Sequence, residues 1–394
     1  MEVKPEVETF AKIKVIGVGG SGGSAINRMI ATKIRGVEFV AVNTDAQALH
    51  HNEAQTKIHI GRNTTRGLGA GMDPQLGRSA AEEEQEELED VVQDADMVFI
   101  TCGLGGGTGT GASPIIAEMA KKLGALTVAV VTKPFTFEGA QRRYIAEQGL
   151  QELADRVDTI ITIPNDRLLQ IIDKKTSLID AFAVVDEVLR QGVQGISEII
   201  TVPGLINVDF ADVKAVMKEA GSALMGIGRG SGENRAIEAA KAAINSPLLE
   251  MSIDGAKGIL FTVSGGKDLG MYEVNEAANV ITQSADPNAK VIFGTVVDES
   301  LGDEVKVTVI ATGFTGQTIK RKDFDLKEMK SPIRPEKEAL IKEIKDTSKP
   351  MEEEPLSPSR KYAHPTIGQK NLEQKKTDEQ EELEIPAFIR KKMM

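Results

Sequence analysis

Along the first 170 residues, short apolar runs alternate with longer stretches of mixed polarity. The runs Lys12–Ile16, Glu38–Val42, Met97–Thr101, Leu126–Val131 and Thr159–Ile163 are rich in Val and Ile and read as strands. Between them, Gly22–Lys33, Pro74–Val92, Ala112–Leu123 and Gln141–Ala154 space their apolar residues as helices do. Strands separated by helices predict a parallel sheet covered on both faces, because each crossover helix packs back onto the sheet. From Ser177 to Ile200 one helical pattern runs unbroken until Pro203-Gly204. A shorter set follows, with a helix from about Asp209 and strands near Ser222–Ile227, Gly258–Val263, Lys290–Val297 and Glu304–Ala311. Helices around 233–244 and 271–284 complete it. The expected fold is α/β: a Rossmann-like domain with a parallel sheet over 11–176, a central connecting helix over 177–201, and a smaller α/β domain over 202–316. Residues 1–10 are expected to be a disordered N-terminal segment.

Charge refines this division. Residues 317–383 hold fifteen basic and fifteen acidic side chains, repeat Pro (332, 335, 350, 355, 358, 365) and carry few large apolar groups. Such a segment cannot bury enough surface to offset its ordering entropy, so a disordered charged linker is expected. Residues 384–394 then carry a net +2, which leaves −14 of the total −12 on residues 1–316. In this last segment Ile385, Phe388 and Ile389 supply apolar anchors, Pro386 fixes the entry, and Arg390-Lys391-Lys392 closes it. It reads equally as a docking peptide and as an ordinary chain end. The acidic balance argues against a general nucleic-acid binder. One Cys rules out an intrachain disulfide, and four scattered His cannot join it in a structural zinc site, so no metal ligands are expected. No apolar run could span a bilayer or serve as a signal peptide, which points to the cytoplasm.

Aromatic residues make up 4% of the chain, against 38 glycines, and two glycine clusters stand where a strand meets a helix. The first, Gly17-Val-Gly19-Gly20-Ser21-Gly22-Gly23-Ser24, meets the G-x-G-x-x-G spacing of a dinucleotide turn. Alone it also fits any tight strand–helix turn. The second, Gly103-Leu-Gly105-Gly106-Gly107-Thr108-Gly109-Thr110-Gly111, follows the strand Met97–Thr101. Two such loops at the carboxyl ends of parallel strands would converge on one phosphate chain. No G-x-x-x-x-G-K-[ST] is present, so a triphosphate would depend on backbone N–H groups, the Thr108 and Thr110 hydroxyls and a cation.

The run Gly105-Gly-Gly-Thr-Gly-Thr-Gly111 after a strand resembles the tubulin/FtsZ family, and further stretches resemble its FtsZ branch of prokaryotic cell-division GTPases. These are Val42–Gln47, Thr65–Gly71, Pro134–Gly139, Ile163–Asp166, Asn207–Asp212 and Ala223–Gly228. The resemblance spans roughly residues 11–315 and the terminal peptide, and implies a tubulin-type GTPase domain. It also implies GTP/GDP as ligand, with Mg²⁺ held mainly by the phosphates. The phosphate side would be Gly19, Gly20, Ser21, Gly22, Gly23, Ser24, Gly103, Gly105, Gly106, Gly107, Thr108, Gly109 and Thr110. Two of these depart from the family pattern: Ser24 stands where Asn is usual, and Ser21 where Gly or Ala is. Asp186 would read guanine by accepting from its N1–H and 2-amino group; the alternative is a solvated helix face beside Glu187. Phe182, one turn earlier, would stack on the base or belong to the core. Glu138 and Arg142 would contact ribose and phosphate, or form an ordinary i,i+4 ion pair. Asn165 matches a position at the edge of the nucleotide.

The resemblance further implies that Asp209 and Asp212, assisted by Asn207, enter the nucleotide site of the next copy and polarise the attacking water. Read locally, Asp209 is a helix N-cap and Asp212 lies in the first turn. Head-to-tail homopolymers, the septal ring at midcell under the membrane, and a terminal peptide that docks on membrane-tethering adaptors complete what the family implies. Direct membrane insertion is not expected. An oxidoreductase using the first loop alone leaves the second unexplained. A regulator that does not hydrolyse GTP leaves Asp209 and Asp212 without a role. Cys102, beside the second loop, has no His partner in the motif and reads as a buried small residue.

Overall fold

The computed structural model describes residues 11–314, apart from 170, 171, 173, 174, 203, 205, 207, 247, 248 and 250. The N-terminal segment, the linker, the terminal peptide and Asn207 lie outside the described residues. In chain order the elements are β1 (Ile13–Val18), α1 (Gly19–Ala31), β2 (Val37–Asn43), α2 (Ala46–His50) and β3 (Thr56–His59). Next come α3 (Pro74–Glu83), α4 (Gln85–Val92), β4 (Met97–Gly103), α5 (Thr108–Lys122), β5 (Leu126–Lys133) and α6 (Ala140–Ala154). β6 (Thr159–Pro164), α7 (Asn165–Leu168), α8 (Leu178–Thr201), α9 (Phe210–Met217) and β7 (Gly221–Gly230) follow. The remainder is α10 (Arg235–Ile244), β8 (Gly258–Gly265), α11 (Met271–Thr282), β9 (Lys290–Val297) and β10 (Val305–Thr312).

The strands form one sheet in the order β3-β2-β1-β4-β5-β6-β7-β10-β8-β9. From β3 to β7 every pairing is parallel, whereas β10 runs antiparallel to both β7 and β8. The α/β class read from the sequence is therefore observed, with a mostly parallel sheet. Alternate residues of each central strand enter different cores. Val15, Phe99, Val128 and Val130 face α1 and α8, while Ile16, Val98, Ile100 and Val131 face α5 with Ala112, Ile116 and Ala120. Residues buried on both faces give the continuous apolar runs seen in the sequence.

Helix α8 joins the two ends of the sheet. Its stripe Val185, Val188, Leu189, Val193, Ile196 and Ile199 shares a core with Val128 and Val130 and also with Met225, Leu260 and Ile310 of β7, β8 and β10. It starts under the carboxyl ends of the parallel strands and stops at their amino ends, where the Thr201 hydroxyl donates to the Arg35 carbonyl just before β2. Among the described residues no helix is long and apolar enough to cross a membrane.

The structure departs from the sequence pattern in a few places. The single helix expected over 74–92 is broken at Glu84, whose carboxylate accepts from the Gly61 and Arg62 N–H groups. Next to it Glu83 accepts from Thr64 and Asn63, which holds its carboxyl down at about 2. These bonds tie the helix to the loop after β3, an edge strand too short and polar to stand out as a pattern. Helix α5 begins at Thr108, four residues before the expected start, so Pro114 lies inside it. Its first turn is drawn from the glycine loop, which has no helical apolar signal.

Candidate nucleotide site

Both glycine loops follow parallel strands that are neighbours in the sheet, and both run directly into helices. α1 opens at Gly19 and α5 at Thr108, so two sets of unpaired N–H groups and two positive helix ends face the same space. That space is a cleft of about 460 Å³. Gly19, Gly20, Ser21 and Ser24 line it from the first loop, and Gly103, Gly106, Gly107, Thr108 and Gly109 from the second. Glu138, Arg142, Asn165, Phe182 and Asp186 line it too, brought in by α6, α7, α8 and the turn before α6.

Four residues expected to meet the phosphates do not line this cleft. The Thr110 hydroxyl is buried and accepts from the Gly105 N–H at 2.9 Å, so it shapes the loop and does not reach the cleft. Gly105 packs on the backbone of Arg142. Gly23 lines a smaller cavity behind the loop, where its carbonyl accepts from the Asn52 amide at 2.9 Å. Gly22 is buried against β4, and a Cβ there would stand 2.4 Å from the Thr101 carbonyl oxygen. That approach permits α1 to cross so close to the sheet. We expect Gly22→Ala to destabilise the fold by about 2–3 kcal/mol, read as a lowered thermal unfolding midpoint, through forced displacement of α1.

Among the described residues Arg142 is the one basic side chain in the cleft lining, so charge compensation there falls mainly on backbone dipoles. It also pairs with Glu138 at 2.8 Å, and Glu138 accepts from the Phe135 N–H at 2.8 Å. The ion pair and the cleft position thus hold together. Phe182 is 41% exposed and meets the buried Phe135 edge to face, with ring centroids 5.6 Å apart. The rest of the exposed ring lines the cleft. Asp186 is half-buried, and desolvation pushes its carboxyl up to about 6, with Arg28 opposing. The Asn165 side chain is 5% exposed, and its Oδ1 finds no partner among the described residues. A buried acceptor left open in a cleft is suited to a ligand donor. Cys102 is fully buried, and burial raises its thiol to about 11, which leaves no thiolate for nucleophilic work.

Residues that the sequence reading gave no role also shape the cleft. Asn43 ends β2 and Asp45 follows it, Gly69–Gly71 stand in the loop before α3, and Thr132 and Pro134 around the end of β5. The Gly107 N–H donates to the Gly71 carbonyl at 2.7 Å, joining the second glycine loop to the 65–71 loop. The signal for this loop was its own spacing, Gly67-Leu-Gly69-Ala-Gly71.

A sequence model of the GTPase domain of the Tubulin/FtsZ family matches residues 12–173, and one of the FtsZ family C-terminal domain matches 221–315. An FtsZ dimer from M. jannaschii is 51% identical over 78% of this chain and 90% of that one, with a TM-score of 0.76. The chain belongs to the FtsZ family. It is accordingly a GTPase, of a family that binds GTP and GDP. CetZ2 and CetZ1 of Haloferax volcanii, solved as a GTPγS-bound protofilament and a GDP-bound monomer, share the fold. Both are 21% identical, with TM-scores of 0.66 and 0.67, over 76% and 77% of this chain and 92% and 95% of theirs.

In this FtsZ-family chain neither Asp209 nor Asp212 lines the cleft, and α9 ends at the amino end of β6, where the Thr159 hydroxyl donates to the Met217 carbonyl. Asp209 caps α9 by accepting from the Ala211 N–H at 3.3 Å, and Asp212 sits in the first turn; both are exposed. The local capping role is thus observed for Asp209. Fifteen residues of α8 separate Asp186 from the helix end at Thr201, a span of about 22 Å at helical rise. The chain reaches α9 only after that.

Proposed function

We propose that the protein is a self-polymerising GTPase of cell division, forming head-to-tail protofilaments of a ring at the septum. The observation that carries this reading is the separation of the cleft from Asp209 and Asp212. A carboxylate pair outside its own chain's cleft is available to complete the site of another copy. A contact that joins opposite ends of the molecule does not close, and so generates filaments. Hydrolysis is then slow in the monomer and switched on by assembly. The carboxylates orient and polarise water, with Asn207 assisting, and the cleft holds the phosphates still. The M. jannaschii FtsZ dimer and the CetZ2 protofilament support self-association of this kind.

The donor set of the cleft suits Mg²⁺ carried on the phosphates. Among the described residues no three His, Cys, Asp or Glu side chains converge, and Glu138 is already tied to Arg142. When bound, the ion supplies charge neutralisation to the phosphate chain. In the full chain, residues 11–176 form the GTP-binding domain, 177–201 the connecting helix and 202–316 the activating domain. Residues 317–383 act as a tether, and 384–394 dock membrane-linked adaptors and division regulators at midcell.

Sedimentation and light scattering with GTP, GDP or ATP plus Mg²⁺, alongside phosphate release, test this. GTP alone is expected to give polymer, with turnover per molecule rising with protein concentration. Absence of both would defeat the proposal. Deleting residues 384–394 is expected to leave assembly in solution unchanged and to abolish adaptor binding. Lost assembly would refute the division of labour between body and tail.

A further inference from the structure

Behind the second glycine loop, two threonine hydroxyls meet in a site closed to solvent. Thr44, at the end of β2, is fully buried, and its Oγ1 lies 2.7 Å from Oγ1 of Thr108, which lines the cleft. The Thr44 carbonyl also serves the loop on its other side. It accepts from His59 Nε2 at 3.1 Å, and the Thr65 hydroxyl, which donates to the nearer Gly61 carbonyl at 2.9 Å, lies 3.4 Å from it. Thr65 opens the loop whose Gly69–Gly71 line the cleft, and Gly71 in turn accepts from Gly107, the residue before Thr108. One residue thus bonds the second glycine loop through its side chain and lies against the start of the neighbouring loop with its backbone.

The direction of the hydroxyl pair is free without a ligand, since either oxygen can donate. A phosphate oxygen removes that freedom. At neutral pH it only accepts, so a Thr108 hydroxyl facing it must donate outward. Thr108 then has only its lone pairs to offer Thr44, and the Thr44 hydroxyl must be the donor. We propose that Thr44 is a positioning residue for GTP: its buried hydroxyl orients the Thr108 proton toward the phosphates. This rests on the reading that the second loop cradles phosphate. Thr44 touches no nucleotide atom in this scheme. Its contribution comes from polarising a hydroxyl that does, in a site where water cannot compete.

A double-mutant cycle on the full-length chain tests the relay, read as GTP and GDP affinity by displacement of a fluorescent guanine nucleotide. Thr44→Val keeps the shape, removes the hydroxyl and should weaken GTP binding about fivefold. Thr44→Ser keeps the hydroxyl and should bind within about twofold of the parent; a loss as large as that of Thr44→Val would show that packing alone matters and overturn the proposal. Thr108→Val should also weaken binding, and Thr44→Val added to it should then cost nothing further. Additive losses would overturn the relay while leaving the phosphate loop in place. Unchanged binding by Thr108→Val would instead overturn the phosphate reading itself, and the relay with it. Thermal melts of all four variants identify any that fails to fold, and the Ser variant keeps the comparison decisive in that event.

Discussion

Asp212→Ala is expected to bind GTP as tightly as the parent and to hydrolyse it at least about 100-fold more slowly. The residue is exposed, lies in the first turn of α9 and makes no contact with the cleft of its own chain, so its loss leaves the nucleotide pocket intact. On the proposed mechanism, what is lost is a carboxylate that orients water in the cleft of the next copy. Mixing supplies the sharper measurement. Asp212→Ala keeps a good cleft, and Asp186→Asn keeps a good α9. Combined, they should release phosphate faster than the sum of the two alone, because some contacts then join an intact cleft to an intact Asp212. A mixture no faster than that sum, from variants that still co-sediment, would mean that each chain hydrolyses its own nucleotide.

Asp186→Asn should show two opposite effects. Guanine presents N1–H and 2-amino donors, and a carboxylate accepts both; an amide offers one acceptor and turns a donor toward the second. GTP affinity should fall about 100-fold or more. Xanthosine triphosphate, with a carbonyl in place of the 2-amino group, should gain affinity over the parent, since the amide can donate to it. Without nucleotide, the same variant should be more stable at pH 7. Burial raises the Asp186 carboxyl from 3.8 to about 6, so the protonated form favours the folded state. That contribution is full below about pH 4 and lost as pH rises through 6, which leaves an ionised, half-buried carboxylate at neutral pH. Removing it should raise stability by about 1–2 kcal/mol at pH 7, discounted for the group's partial exposure, with the gain vanishing near pH 4. GTP affinity of the parent should decline as pH falls below 6, because the protonated acid loses one acceptor. A nucleotide-free variant no more stable than the parent would show that solvent already screens the charge.

The parallel sheet was legible because strands buried on both faces leave continuous apolar runs, such as Met97–Thr101 and Leu126–Val131. The long stripe of α8 was legible from its helical spacing, since one face of that helix is buried. The break at Glu84 was not, since a helix of good formers gives no sign that two of its acids will be taken by the backbone of a distant loop. The antiparallel direction of β10 was not legible either, because a buried strand has the same pattern whichever way it runs.

Within the site, the sequence by itself determined the two glycine loops that line the cleft. A turn that must bring its backbone close to an anion and to neighbouring strands needs glycine, and glycine is visible residue by residue. It could not say which groups of those loops face the ligand. Thr108 and Thr110 are alike in type and two residues apart, yet one lines the cleft and the other bonds Gly105 inside the loop. Nor could it give Asp186 its raised affinity for a proton, set Thr44 beneath Thr108, or put the length of α8 between the cleft and Asp212. Those are distances and burials between segments far apart in the chain. They follow from packing α8 across the whole sheet, and packing is decided by the tertiary structure.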